Sequence, residues 1–215
     1  MRKFSRAATL NIELEVLSKL HVGTGQPSEF RHIDNPVRRM VYSRGSARFI
    51  IPASTLKGAL RAYFTALANS DRRRSCTSPR PEEMVEEHAG LEGKCLSCDV
   101  FGGPEVEGKA VFYDALADDV TPQTGVGIAI DRETGTVKEG FLYTYEFLPP
   151  KTVFRSKILL RDLDVEEWVL LLASLRELEF RGLGGKKGLV RVNVRSVEGE
   201  VPGDEKVRRL LSLMR

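Results

Sequence analysis

Residues 164–197 read DVEEWVLLLASLRELEFRGLGGKKGLVRVNVRSV. Asp164 with Glu167 three positions on is a capping-box pattern, in which each side chain accepts the other residue's backbone N–H. Trp168, Leu171, Leu172, Leu175 and Leu178 recur at helical spacing and give the helix one apolar face. The run GLGGKKG at 182–188 interrupts it, and the alternation of 189–197 reads as a half-buried strand.

Residues 152–161 (TVFRSKILLR) read as a strand before the helix, and 9–20 (TLNIELEVLSKL) alternate as another. Residues 54–67 read as a helix, with Ser54 as N-cap and Leu56, Ala59, Leu60, Tyr63, Phe64 and Leu67 as its buried stripe. Residues 109–115 (KAVFYDA) read as a strand, and a short helix starts at Asp204. Two segments interrupt this series. Residues 69–108 are charged and hold every cysteine, and 116–150 contain a long hairpin, 124–147, with its turn at DRETGT. Without them the order is strand, helix, strand, strand, helix, strand. This predicts one α+β domain over 1–215, a ferredoxin-like (RRM-like) core with an insertion at 69–108 and a hairpin insertion at 116–150. That architecture serves many functions, so it names none.

Composition bounds the rest. The 215 residues carry a net charge of +3, and 41% are hydrophobic, enough for one core and too many for a disordered chain. No stretch reaches the roughly 18 apolar residues of a membrane span, and the N-terminus lacks the apolar run of a signal peptide. The expectation is a cytoplasmic protein with no membrane partner. The charge is unevenly spread. Ten cations lie between Arg31 and Arg74 against Asp34 and Asp71, so this segment carries +8 and the remainder −5. Such a concentration suits a polyanion partner, although solvated surface is the ordinary role of a charge run.

Cys95 and Cys98 form C-x-x-C, with Cys76 and His88 upstream in the same insertion. A Cys₃His set has the ligand count of a closed, structural zinc site, and zinc would help fold a segment with few core residues. A redox pair or inert thiols are the other readings of the cysteines. The loop with Gly184, Gly185, Lys186 and Lys187 is neither a Walker A nor a dinucleotide motif, because it links a helix to a strand. Its glycines permit close backbone approach to phosphate, and a plain helix C-cap is the competing reading. Lys57 and Arg61 stand four apart near a helix N-terminus, where anions are favoured.

The motifs LHVGTG, HIDNPVRR, IPASTLKGALRAYF, CLSCDVFGG, IDRETGTVKEGFLYTYEFLPP and GLGGKKGLVRV occur in this order. In this the chain resembles RAMP-superfamily backbone subunits of type III CRISPR effector complexes, and is most similar to the Csm-type backbone protein. The resemblance implies copies that polymerise as a helical filament along a guide crRNA and display it to target RNA. Other type III subunits would be partners: the large signalling subunit, the small subunits and the subunit that caps the guide tag. It implies a hairpin thumb at about 130–145 that wedges into the guide–target duplex, with Arg132 on it. It implies target-RNA endonuclease activity requiring Asp34, with Mg²⁺ or Mn²⁺ as cofactor besides structural Zn²⁺. RNA contacts would come from His32, Arg38, Arg39, Lys57, Arg61, Gly184, Gly185, Lys186 and Lys187. A branch of the family whose backbone subunits do not cut is the alternative, and then the subunit is a scaffold. A stand-alone guide-processing nuclease would need a histidine pair or similar set, and only His21 and His32 lie outside the cysteine group. By residue type alone, Asp34 before Asn-Pro is a turn residue.

Overall fold

The computed structural model describes residues 4–27, 33–41, 47–117 and 120–215. In chain order the elements are β1 (Ala7–Val16), β2 (Arg39–Val41), β3 (Ala47–Ile51), α1 (Ala53–Ala68), α2 (Pro81–His88) and α3 (Leu96–Phe101). They continue with β4 (Ala110–Phe112), β5 (Ala115–Ala117), β6 (Gln123–Ile130), β7 (Val137–Phe147), β8 (Val153–Arg161), α4 (Val165–Arg181), β9 (Val190–Gly199) and α5 (Glu205–Ser212). A seven-stranded sheet has the order β2-β3-β5-β8-β1-β9, with β4 also paired to β8, and every strand pair in it is antiparallel. β6 and β7 form a separate two-stranded sheet. No described helix is long and apolar enough to cross a membrane.

β1 lies between β8 and β9, and its alternation is strict. Leu10, Ile12 and Leu14 are buried on one face, while Asn11, Glu13 and Glu15 lie on the other. α1 and α4 pack against each other and share a single core with the buried face of the sheet. α4 carries the expected capping box: Asp164 accepts from the Glu167 N–H at 2.9 Å, and Glu167 accepts from the Asp164 N–H at 2.9 Å. α5 starts after Asp204, whose carboxylate accepts from Lys206 N–H at 2.8 Å.

Two expectations change. Ser54 lies inside α1 and is not its cap; the residue before the helix is Pro52, which has no capping side chain. Instead the N–H of Ala53, the first helical residue, donates to Asp114 at 2.7 Å. Asp114 sits between β4 and β5, so the strand expected over 109–115 is two short strands with a break that serves the helix. The other change is at 69–108. α3 packs into the main core, where Phe101 lies 5.3 Å from Phe64 and 5.7 Å from Phe112 between ring centroids. Cys76, Met84, Cys95 and Cys98 form a second, smaller cluster.

α3, β4 and α4 meet at a buried charge cluster. The Lys109 ammonium lies 2.6 Å from Glu167 and 2.8 Å from Asp99, and Lys94 reaches Asp99 from the solvent side at 2.9 Å. Glu167 is fully buried, and burial, with the Asp99 carboxylate beside it, pushes its carboxyl above the usual range. Removing one member of such a cluster leaves an uncompensated charge in the interior. Lys109→Met is therefore expected to destabilise the fold by about 3–5 kcal/mol. The measurement is a denaturant titration, in which the midpoint should fall with little change of slope.

Candidate nucleic-acid interface and metal centre

Asp34 lies in an exposed turn against the base of the β6–β7 hairpin. Its Oδ2 accepts from the Thr144 N–H at 2.6 Å and from the Thr144 hydroxyl at 3.0 Å. Asn35 continues the contact as a single parallel bridge to Tyr145. Its N–H donates to Thr144 O at 3.1 Å, and Glu146 N–H donates to Asn35 O at 2.9 Å. The Thr144 N–H, followed by its hydroxyl, holds the Asp34 carboxyl below the usual range, so it is an anion near neutral pH.

The hairpin itself starts at Gln123, earlier than the 130 implied by resemblance. Gly127 lies where a Cβ would stand 2.3 Å from the Tyr143 ring, so glycine lets the cross-strand tyrosine lie flat over β6. Asp131 closes the turn by accepting from Glu133 and Thr134 N–H at 2.9 and 3.1 Å, leaving Arg132 exposed at the tip. Val126, Ile128, Ile130, Val137 and Leu142 are each about half or more exposed. Ile128 pairs with Leu142 and Ile130 with Val137, so these residues form one apolar ridge.

The glycine-rich loop comes to the root of this hairpin. Gly184, at φ 76°, has a backbone position where a Cβ would stand 2.3 Å from His21 O. Lys186 donates to the Tyr143 hydroxyl at 2.5 Å and lies 5.0 Å over both the Tyr143 and Tyr145 rings. His21 stacks edge-on to Tyr145 at 5.9 Å, and its Nδ1 donates to Glu146 O at 2.7 Å. Gly185, Lys186 and Lys187 are exposed. Thus Lys186 and the glycines meet His21, Tyr143 and Tyr145 on one face of β7, and Asp34 meets Thr144, whose side chain lies on the opposite face, at the same root of the hairpin. Tyr143, Thr144 and Tyr145 are not singled out by residue type, and His21 enters only as a histidine outside the cysteine group, although the alternation in FLYTYEF puts the two tyrosines on one face of β7.

The other expected contacts are dispersed. Arg38 donates to Thr24 O at 3.2 Å at the edge of this surface. Arg39 points inward, in a buried pair with Glu146 at 2.6 Å, and stacks over Phe49 at 4.9 Å. Lys57 lines a recess of about 400 Å³ beside α3. Burial, and then the nearby Arg61 charge, push its ammonium below the usual range. Arg61 also lines that recess, and its guanidinium reaches the cysteines. His32 falls outside the described residues. The basic segment is also partly neutralised: Arg73 pairs with Glu87 at 2.6 Å, and Arg74 pairs with Glu166.

The metal-ligand set does assemble. The ligand atoms of Cys76, His88, Cys95 and Cys98 lie within 4.8 Å of one another. Cys76 Sγ is 3.5 Å from Cys98 Sγ and 3.6 Å from Cys95 Sγ, and His88 Nε2 is 3.3 Å from Cys98 Sγ. A zinc tetrahedron has S–S edges of about 3.8 Å and S–N edges of about 3.6 Å, so these donors fit a metal such as zinc. The Cys98 thiol, together with the Cys76 N–H, holds the Cys95 thiol below the usual range, the direction that favours a metal-binding thiolate. α2 carries His88, and its Glu87 fastens the loop after Cys76 by accepting from Thr77 N–H at 2.7 Å and Ser78 N–H at 3.0 Å.

Exposed cations, glycine backbone and aromatic rings on one surface of an antiparallel α+β domain are the equipment of an RNA-binding module. A family model described as RAMP superfamily matches residues 13–189, and the chain belongs to that superfamily. The superfamily comprises CRISPR-associated RNA-binding modules with ferredoxin-like folds, and its members are often ribonucleases. No curated protein sequence matches the chain.

Two outcomes are expected at the metal centre. The purified chain should retain one zinc per molecule, and Cys95→Ser should lose it, as read by elemental analysis. The Thr77 N–H above all holds the Glu87 carboxyl down to about 2, from an ordinary value of 4.5. Glu87 thus contributes stability above pH 4.5 that is lost as pH falls toward about 2. Carbon-13 NMR titration of its carboxyl should place the midpoint near the lower value.

Proposed function

We propose that this RAMP-superfamily chain is a guide-RNA-binding backbone subunit of a type III CRISPR ribonucleoprotein, of the Csm type. In this reading the ferredoxin-like core carries a zinc-stabilised insertion and a hairpin thumb. Copies assemble as a filament on the crRNA beside the other type III subunits. Target RNA is cut at regular intervals next to each thumb. The observation that carries the reading is the junction of Asp34 with Thr144, which places an ionised carboxylate at the root of an exposed apolar hairpin. An apolar ridge of this kind can separate stacked bases, as wedge side chains do elsewhere. A base displaced there leaves its sugar–phosphate free to adopt an in-line geometry beside Asp34.

RNA supplies the nucleophile. The 2′-oxygen attacks phosphorus, the bond to the 5′-oxygen breaks, and the proton lost at the 2′-hydroxyl is made up at the departing oxygen. An aspartate held ionised is a poor proton acceptor and a good cation ligand. Mg²⁺ or Mn²⁺, when bound, would supply charge stabilisation to the phosphorane oxygens. Among the described residues Asp34 belongs to no group of three or more metal-ligating side chains, so it would hold such a cation together with RNA phosphates. Lys186, Lys187 and the amides of Gly184 and Gly185 would hold the backbone, with Arg38, Lys57 and Arg132 as outlying contacts.

A second reading, the non-cutting scaffold, has its own observation. Both Thr144 bonds fall on Asp34 Oδ2, so this carboxylate already anchors the thumb. The two are separated in a reconstituted complex. Asp34→Asn keeps an oxygen for Thr144 and loses the charge, whereas Asp34→Ala loses both. The endonuclease reading expects periodic cuts from wild type and none from either variant, with guide binding within about twofold. A wild-type complex that binds target and leaves it whole establishes the scaffold, and cuts that persist in both variants remove Asp34 from the chemistry. Lys186→Ala should weaken guide binding across sequences and reduce the salt slope by about 1.

A further inference from the structure

Arg61 is the cation whose surroundings the RNA reading leaves unexplained. It lies on α1, partly buried, and among the described residues no carboxylate pairs with it. Its Nη1 donates to Gly102 O at 2.7 Å. Its Nη2 lies 3.2 Å from Cys98 Sγ, and 3.7 Å from both Cys76 Sγ and Met84 Sδ. A guanidinium has five donors in a fixed plane, and here one edge is pinned by a carbonyl so that the other faces sulfur.

The charge balance of the metal centre gives this geometry a purpose. Three thiolates and a neutral imidazole around Zn²⁺ leave one net negative charge. The three sulfurs are buried in an apolar cluster with Met84, Leu91 and Val106. A buried net charge is costly unless another charge meets it with hydrogen bonds. Arg61 supplies one positive charge at the Cys76–Cys98 edge of the tetrahedron, from outside the ligand set.

We propose that Arg61 is a positioning residue of the metal centre: its guanidinium is the counter-charge of the Cys₃His–zinc group and the N–H donor that orients Cys98. It thereby ties α1 to α3, and the shape of the Lys57 recess depends on the metal. The inference rests on the Cys₃His set holding zinc. It takes Arg61 out of the RNA-contacting residues. Outer-shell partners of metal ligands typically contribute about 10–100-fold in affinity.

The test uses the full chain with Zn²⁺ and Co²⁺ as probes. Wild type should bind one Zn²⁺; failure there removes the metal centre itself, and with it this inference. With wild type loaded, Arg61→Met should weaken Zn²⁺ at least about tenfold in chelator competition at fixed pH. Arg61→Lys, which keeps the charge, should recover most of that loss. The sulfur-to-cobalt charge-transfer band of the Co²⁺ form should shift in both variants, because the N–H···S bond to Cys98 changes. A structural role in packing alone would leave the band in place. Zinc affinity of Arg61→Met within about threefold of wild type overturns the proposal, as does Arg61→Lys binding zinc as weakly as Arg61→Met. If Arg61→Met does not fold, the Co²⁺ band of Arg61→Lys decides: a shift supports the proposal and an unmoved band overturns it. Guide binding measured alongside gives the competing outcome, a loss of RNA affinity with zinc affinity intact, which makes Arg61 an RNA contact.

Discussion

The Lys109 ammonium is the point at which the separate parts of this protein are fastened. It enters at the start of β4, and its two carboxylates come from α3 and from the first turn of α4. Glu167 also closes the capping box of α4, so one side chain both caps a helix and neutralises a buried cation. Asp99 directly follows Cys98, so the same cluster sets where the cysteine-bearing helix lies. A buried ion cluster is weak evidence for stability, because desolvation offsets the attraction. It is strong on geometry, since any rearrangement that separates the three groups leaves a charge unpaired in the interior.

A comparable fastening operates at the hairpin. β6 and β7 form no strand pair with the main sheet, so their attachment relies on local bonds. Beside the backbone bonds with Asn35, side-chain anchors fall at alternate positions of β7. Asp34 takes the N–H and hydroxyl of Thr144, and Glu146 is paired with Arg39 while accepting from Val37 N–H. Thr144 and Glu146 lie two apart on one face of β7, and Tyr143 and Tyr145 occupy the other. The face that anchors the hairpin is therefore distinct from the face that meets Lys186 and His21. The ridge lies on the anchoring face but nearer the tip, with Leu142 and Ile128 beyond Thr144, so the hairpin is held at its root while the ridge stays exposed.

Much of the site was legible from residue type and spacing. The Cys₃His set depended on few possibilities: three cysteines and one histidine fall within a short segment, and four-coordinate metals accept that combination. The capping box of α4 and the strict alternation of β1 are local patterns, and both are present in the fold. Ser54 misled because capping was sought next to the helix, whereas the acceptor, Asp114, arrives from a strand break more than fifty residues later. The place of His21 and the β7 tyrosines at the site is not legible locally, because their roles come from what lies beside them. The surface they share with Lys186 brings together three segments distant in the chain.

Charge shows the division most clearly. Residue order alone shows that cations are concentrated between Arg31 and Arg74, that all acids but Asp34 and Asp71 lie elsewhere, and that one apolar face recurs on each core element. These are properties of composition and period. Which cations remain available to a ligand depends on how the segments fold together. Folding returns the distant acids to the basic segment, so Arg39 meets Glu146, Arg73 meets Glu87 and Arg74 meets Glu166, while Arg61 faces sulfur. The reason is physical. A guanidinium drawn out of water, as at Arg39 and Arg61, must find a partner wherever the chain places one. Arg73 and Arg74 meet acids nearer the surface, whereas the lysines of the glycine-rich loop stay exposed with no acid paired to them among the described residues.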